Sequence, residues 1–143
     1  MQIYCDLFFL ICPGACCLTT CREYGFVVVD EAKSWTEAQK YCREQHIDLA
    51  SVATMEDTEN LKSLTARNPN EKYWIGLYFV ETPWKWTLQS HVGEHDTFRN
   101  WHMNPTMDPG RNTCAYMLPT GQWVEEDCRN KHHILCMNGE KKN

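Results

Sequence analysis

The chain has 143 residues, enough for one domain with a modest core, and its 19 acidic and 14 basic side chains give a net charge of −5. No basic run suited to neutralising phosphates is present, and Lys141-Lys142 is only a short tail, so nucleic acid is not an expected partner. The nine cysteines include no Cys-x-x-Cys pair that would suggest a zinc site or a redox motif, which points to an oxidising, secretory setting.

Leu7 to Cys12 is an apolar run far too short to span a bilayer, and small residues follow it at Pro13-Gly14-Ala15-Cys16-Cys17. The pattern predicts a signal peptide over residues 1–20, a secreted chain and no membrane span. Asp6 stands where a positive charge is usual, so a truncated start to a longer chain is the rival reading. Cleavage after Cys17 or Thr20 leaves Cys21 near the new terminus and without an assigned partner. Its two expected fates are an intermolecular disulfide that makes a homodimer, or a free thiol.

Tyr24 to Asp30 is β-rich and reads as a strand. Ser34 to His46 reads as a helix. Ser34 and Glu37 form a capping box there, and Trp35, Ala38 and Cys42 recur at helical spacing on what should be the buried face. A second helix is predicted from Thr54, capped with Asp57, with Leu61 and Leu64 facing the core and Asn68-Pro69-Asn70 as its stop. Lys72 to Phe79 is the next strand.

From Glu81 to Thr113 the chain becomes irregular, with Pro83, Gly93, Pro105, Pro109 and Gly110 along it. A loop this long is uncommon in a compact domain unless it is functional or disordered. Trp84, Trp86 and Trp101 argue for an ordered one, because they supply apolar area to pin it. Cys114 to Leu118 and His133 to Met137 read as closing strands around a turn at Thr120-Gly121.

Three features are similar to a known family. They are the spacing of Cys42, Cys114, Cys128 and Cys136, the run Trp123-Val124-Glu125-Glu126-Asp127-Cys128, and Trp74-Ile75-Gly76-Leu77 between the two halves. Over roughly residues 21–138, with 139–143 as a polar tail, the chain resembles the C-type lectin-like domain. The resemblance implies an α+β fold of two helices packed on antiparallel strands, with one long irregular loop and two disulfides, Cys42–Cys136 and Cys114–Cys128. It implies core positions for Trp74, Trp86, Trp101 and Trp123, and leaves Trp84 as a loop residue available to a ligand.

Sugar-binding members of that family hold a calcium ion at the long loop, and calcium takes about 6–8 oxygen ligands, several of them carboxylates. Carried onto this chain, the family's motif proline is Pro105, nine residues before Cys114, with Asn104 and Thr106 as its flanks. Asn112 stands where a Glu is usual, Val124 where an Asn is usual, and Glu125 where an Asp is usual. Asn104-Pro105-Thr106 is neither of the family's sugar motifs, and the set offers a single carboxylate. The expectation is no cofactor, with calcium disfavoured.

The expected function is a secreted recognition module that binds a carbohydrate or protein ligand without calcium. Asn104, Arg111, Asn112, Glu125 and Trp84 are the candidate contacts. Calcium-dependent sugar binding through a rearranged site is one alternative, and a structural role through a Cys21-linked dimer is another. His91 and His95 have the spacing of a helical zinc pair but lack a convincing helix and a third ligand. No Gly-rich phosphate loop or Ser, His and Asp nucleophile signature is legible, so an enzyme is not expected.

Overall fold

The computed structural model describes residues 2–6, 20–81, 83–88 and 97–139. The apolar run Leu7–Cys12, the expected cleavage region up to Thr19, His91, His95 and Lys141-Lys142 lie outside the described residues. Ten elements follow one another: β1 (Gln2–Asp6), β2 (Thr20–Lys33), α1 (Trp35–Gln45), β3 (Asp48–Leu49), α2 (Met55–Thr65), β4 (Tyr73–Phe79), β5 (Lys85–Trp86), β6 (Thr113–Met117), β7 (Trp123–Asp127) and β8 (His132–Gly139). No described helix is long and apolar enough to cross a membrane.

Both helices begin as their sequences predict. Ser34 accepts from the Glu37 N–H while the Glu37 carboxylate accepts from the Ser34 N–H, and Thr54 and Asp57 repeat the arrangement on α2. Each box satisfies N–H groups that a helix start leaves unpaired. α1 buries Trp35, Ala38 and Cys42 as expected. On α2 the expectation needs correction: Leu61 is fully buried but Leu64 is exposed, and Asp57, Thr58 and Thr65 complete the buried face. Thr65 tolerates this position because its hydroxyl donates back to the Leu61 carbonyl at 3.1 Å.

The strands form one sheet in the order β1-β2-β8-β4-β6-β7, with β3 added to β8 and β5 to β4. All pairings are antiparallel except β4 with β8, where Tyr73 and Trp74 run parallel to His133 and Ile134. In the β1–β2 pairing, Cys5 lies directly opposite Cys21.

Gly76 sits where two stretches of backbone close on β4. Its N–H donates to the Ala50 carbonyl and its own carbonyl accepts from Thr87 N–H. A Cβ there would meet Thr87 Cγ2 at 2.7 Å and the Leu49 carbonyl oxygen at 3.2 Å. The glycine of Trp74-Ile75-Gly76-Leu77 is therefore required by close approach.

The two expected disulfides are present. Cys42–Cys136 joins α1 to β8, and Cys114–Cys128 joins β6 to the turn after β7. Trp74 and Trp123 are fully buried and Trp86 nearly so, while Trp101 packs half-buried against the same core. Trp86 and Trp101 meet Trp123 edge-on, at interplanar angles of 90° and 83°. An isolated bridge between Trp101 and Trp123 ties the long loop to the start of β7.

Candidate functional site

β7 is the edge strand of the sheet, and its register on β6 decides what the site contains. Thr113 pairs with Asp127, Cys114 with Glu126 and Ala115 with Glu125. Where this strand pair meets the last residues of the long loop, a concavity of about 570 Å³ opens. Gly110, Arg111 and Asn112 line it from the loop, Thr113 from β6, and Glu125, Glu126, Asp127 and Arg129 from β7 and the turn beyond. The Cys114–Cys128 bridge joins the residues that follow the lining residues Thr113 and Asp127 in sequence, and Cys128 N–H donates to the Asn112 carbonyl at 3.1 Å. Asp108-Pro109-Gly110 forms a turn: the Asp108 side chain accepts from Gly110 N–H and its carbonyl from Arg111 N–H.

Each of the three carboxylates has a donor inside the protein. Both oxygens of Glu125 accept from the Thr106 N–H at 3.0 Å, and one also accepts from the Thr106 hydroxyl at 2.8 Å. That contact hooks the Pro105 segment of the loop onto β7. Glu126 makes a short hydrogen bond to His132, whose ring lies edge-on to Trp74 and against Tyr116. Asp127 accepts from the Arg129 backbone N–H and Nε at 2.9 Å and from its terminal guanidinium nitrogen at 2.6 Å. The Arg129 hydrogen bonds, helped by the more distant charge of Arg111, hold the Asp127 carboxyl down at about 2.

Arg111 and Asn112 are exposed, and their side chains make no hydrogen bond or ion pair to any described residue. Of the expected contacts, then, Arg111, Asn112 and Glu125 come together in one concavity. Asn104 is exposed on the loop but does not line it. Trp84 is corrected: it is only 6 % exposed and packs between Phe79 and Trp101, so its ring is core rather than a surface for a ligand. Val124, at the position of a family amide ligand, is half-buried against the cluster around Trp74 and the Cys114–Cys128 bridge.

Three members of this site were not read from the sequence. Thr106 entered only as a flank of Pro105, His132 fell just outside the expected closing strand His133 to Met137, and Arg129 was given no role. The Asp127-x-Arg129 spacing across a turn was the one local signal available for any of them.

The Lectin C-type domain family model matches residues 31–138. Human C-type lectin domain family 10 member A is 25% identical over 135 residues, an alignment covering 88% of this chain and 41% of that protein. Rat asialoglycoprotein receptor 1 is 28% identical over 131 residues, covering 85% of this chain and 44% of that protein. The chain thus spans less than half the length of these relatives. Among solved structures, a calcium-independent type II antifreeze protein superposes with a TM-score of 0.67 at 21% identity, over 94% of this chain and 98% of that one.

Proposed function

Because the chain belongs to the C-type lectin domain family, we propose that it is a secreted recognition module that binds a polar ligand, a glycan or a protein surface, in the β6–β7 concavity without calcium. Its relatives are named as lectins and receptors, not enzymes. The observation that carries the reading is that all three carboxylates around the concavity are engaged by Thr106, His132 and Arg129.

A calcium ion needs several anionic oxygens turned toward one point. Here the Glu125 oxygens face the N–H and O–H of Thr106, Val124 offers only carbon, and Asn104 stands apart from Asn112. Among the described residues no group of three His, Cys, Asp or Glu side chains could hold a metal ion. The residues present do not fit the family's ion. The fold itself does not demand one, since the calcium-independent antifreeze protein shares it.

Thermal unfolding of the oxidised protein in calcium and in chelator tests this reading. Ligand binding to the native state raises the midpoint by mass action, so the two curves should coincide at millimolar calcium. A calcium-dependent rise that Glu125→Ala abolishes would overturn the proposal and establish a rearranged calcium site.

A further inference from the structure

We propose that the ligand of this concavity is a saccharide bearing an acidic group, a carboxylate or a sulfate ester, and that Arg111 grips that group directly. The inference rests on the reading above that the concavity is the binding site.

Each carboxylate of the site already has a protein partner: Glu125 has Thr106, Asp127 has Arg129, and Glu126 has His132. Arg129 is committed to Asp127. The Arg111 guanidinium carries five N–H groups in a planar fork and makes no hydrogen bond or ion pair to a described residue, its charge reaching Asp127 only at longer range. The Asn112 amide beside it is also without a hydrogen bond. A ligand that engages Arg111 must bring acceptors, and a guanidinium fork best matches two oxygens held in one plane or on one tetrahedral centre.

The formal charges of the five ionisable lining residues leave one negative charge in excess. General attraction therefore does not select an anion here. Selection comes from one directional contact, which favours a ligand with a single acidic group over a polyanion.

The rest of the ligand follows from the lining. Every lining residue is polar or glycine. A peptide would offer apolar anchors that find no apolar pocket, whereas hydroxyl groups find the Asn112 amide and the second Glu126 oxygen. The volume of about 570 Å³ lies within the usual range for small-ligand sites, roughly 300–1,000 Å³.

The experiment is a titration of the isotope-labelled full chain in chelator, followed by the amide resonances of Asn112, Thr113 and Glu125. The probes are galactose, galactose 6-sulfate, glucuronate and tetraglutamate, and Arg111→Gln and Arg111→Lys are compared with the unaltered protein. The expected result is binding of galactose 6-sulfate or glucuronate at least about tenfold tighter than galactose. Arg111→Gln should erase that preference with an unchanged unfolding midpoint, and Arg111→Lys should restore part of it. A response to the sulfate alone or to the carboxylate alone identifies which acid the site takes.

Equal binding of galactose and the acidic sugars, indifferent to Arg111, would overturn the inference and leave the calcium-independent reading standing. Tetraglutamate binding in place of the sugars would replace the saccharide with an acidic peptide. Silence at these resonances with every probe would overturn the inference, and binding that appears only when calcium is restored would overturn the function beneath it.

Discussion

The two disulfides should differ in their contributions to stability and to binding, and in opposite senses. Cys42–Cys136 spans 94 residues and Cys114–Cys128 spans 14. Loop-closure entropy in the unfolded chain then assigns roughly 4.7 kcal/mol to the first and roughly 3.0 kcal/mol to the second. All four cysteines are buried, the least so being Cys128 at 6 %. Replacing either pair by alanine removes the same atoms from similar surroundings, so the cavity terms largely cancel and the difference of about 1.7 kcal/mol isolates the loop term.

Urea unfolding of the two double variants measures it. Cys42→Ala/Cys136→Ala should lose more, and failure of that variant alone to fold would give the same ordering. The short bridge, however, ties together the residues next in sequence to the lining residues Thr113 and Asp127. Cys114→Ala/Cys128→Ala should therefore weaken ligand binding more, despite its smaller stability loss. Equal losses, or a larger loss from the short bridge, would refute the entropic reasoning.

Gly121 has φ 88°, and a Cβ there would lie 2.5 Å from Thr58 Cγ2. Gly121→Ala should cost about 1–3 kcal/mol in denaturant unfolding. Asp57 is fully buried, and burial raises its carboxyl above the ordinary 3.8 despite hydrogen bonds from Ala53, Thr54 and Tyr24. The protonated form is therefore favoured by folding. Its stabilisation is complete below pH 3.8 and is lost as pH rises through the folded value. Asp127, held at about 2, acts in the opposite direction, with a contribution present above pH 3.8 and lost as pH falls through about 2. Stability measured across this range should lose its acid-side gain in Asp57→Asn and lose part of its deep-acid decline in Asp127→Asn. Cys5 and Cys21 are opposed in an antiparallel pair, where Cα atoms sit about 4.5–5.5 Å apart, within disulfide range. Mass spectrometry of non-reduced peptides should find Cys5 bridged to Cys21 when residues 1–20 are retained, and non-reducing electrophoresis should show a dimer through Cys21 when cleavage removes Cys5.

What could be read from the sequence was whatever a short window encodes. The capping boxes at Ser34 and Thr54, the inward face of α1 and the turn at Thr120-Gly121 are each set by residues within a few positions of one another, and all are present. β7 was missed as a strand because Glu125-Glu126-Asp127 is a poor strand sequence taken alone, and only its residue-by-residue pairing with β6 makes it one. Thr65 rather than Leu64 is buried because a threonine can satisfy its own hydroxyl within the helix, which hydrophobic periodicity does not register. Trp84 was misplaced for a related reason: nothing in an irregular segment tells which way a ring turns until its neighbours, here Phe79 and Trp101, are known.

The site divides along the same line. Its residues could be nominated because a family resemblance supplied positions, but their chemical state could not, since that depends on partners brought in by folding. Glu125 in isolation is an available carboxylate, a natural cation ligand. With Thr106, 19 residues away in sequence, donating both its N–H and its hydroxyl to it, the same side chain becomes a fastener for the loop. Glu126 and Asp127 are altered likewise by His132 and Arg129. With these three carboxylates engaged inside the protein, the reading that this edge works without a cation rests on partners no single position reveals. Val124, which offers carbon where the family pattern has an amide and packs against the Trp74 cluster, supports the same reading.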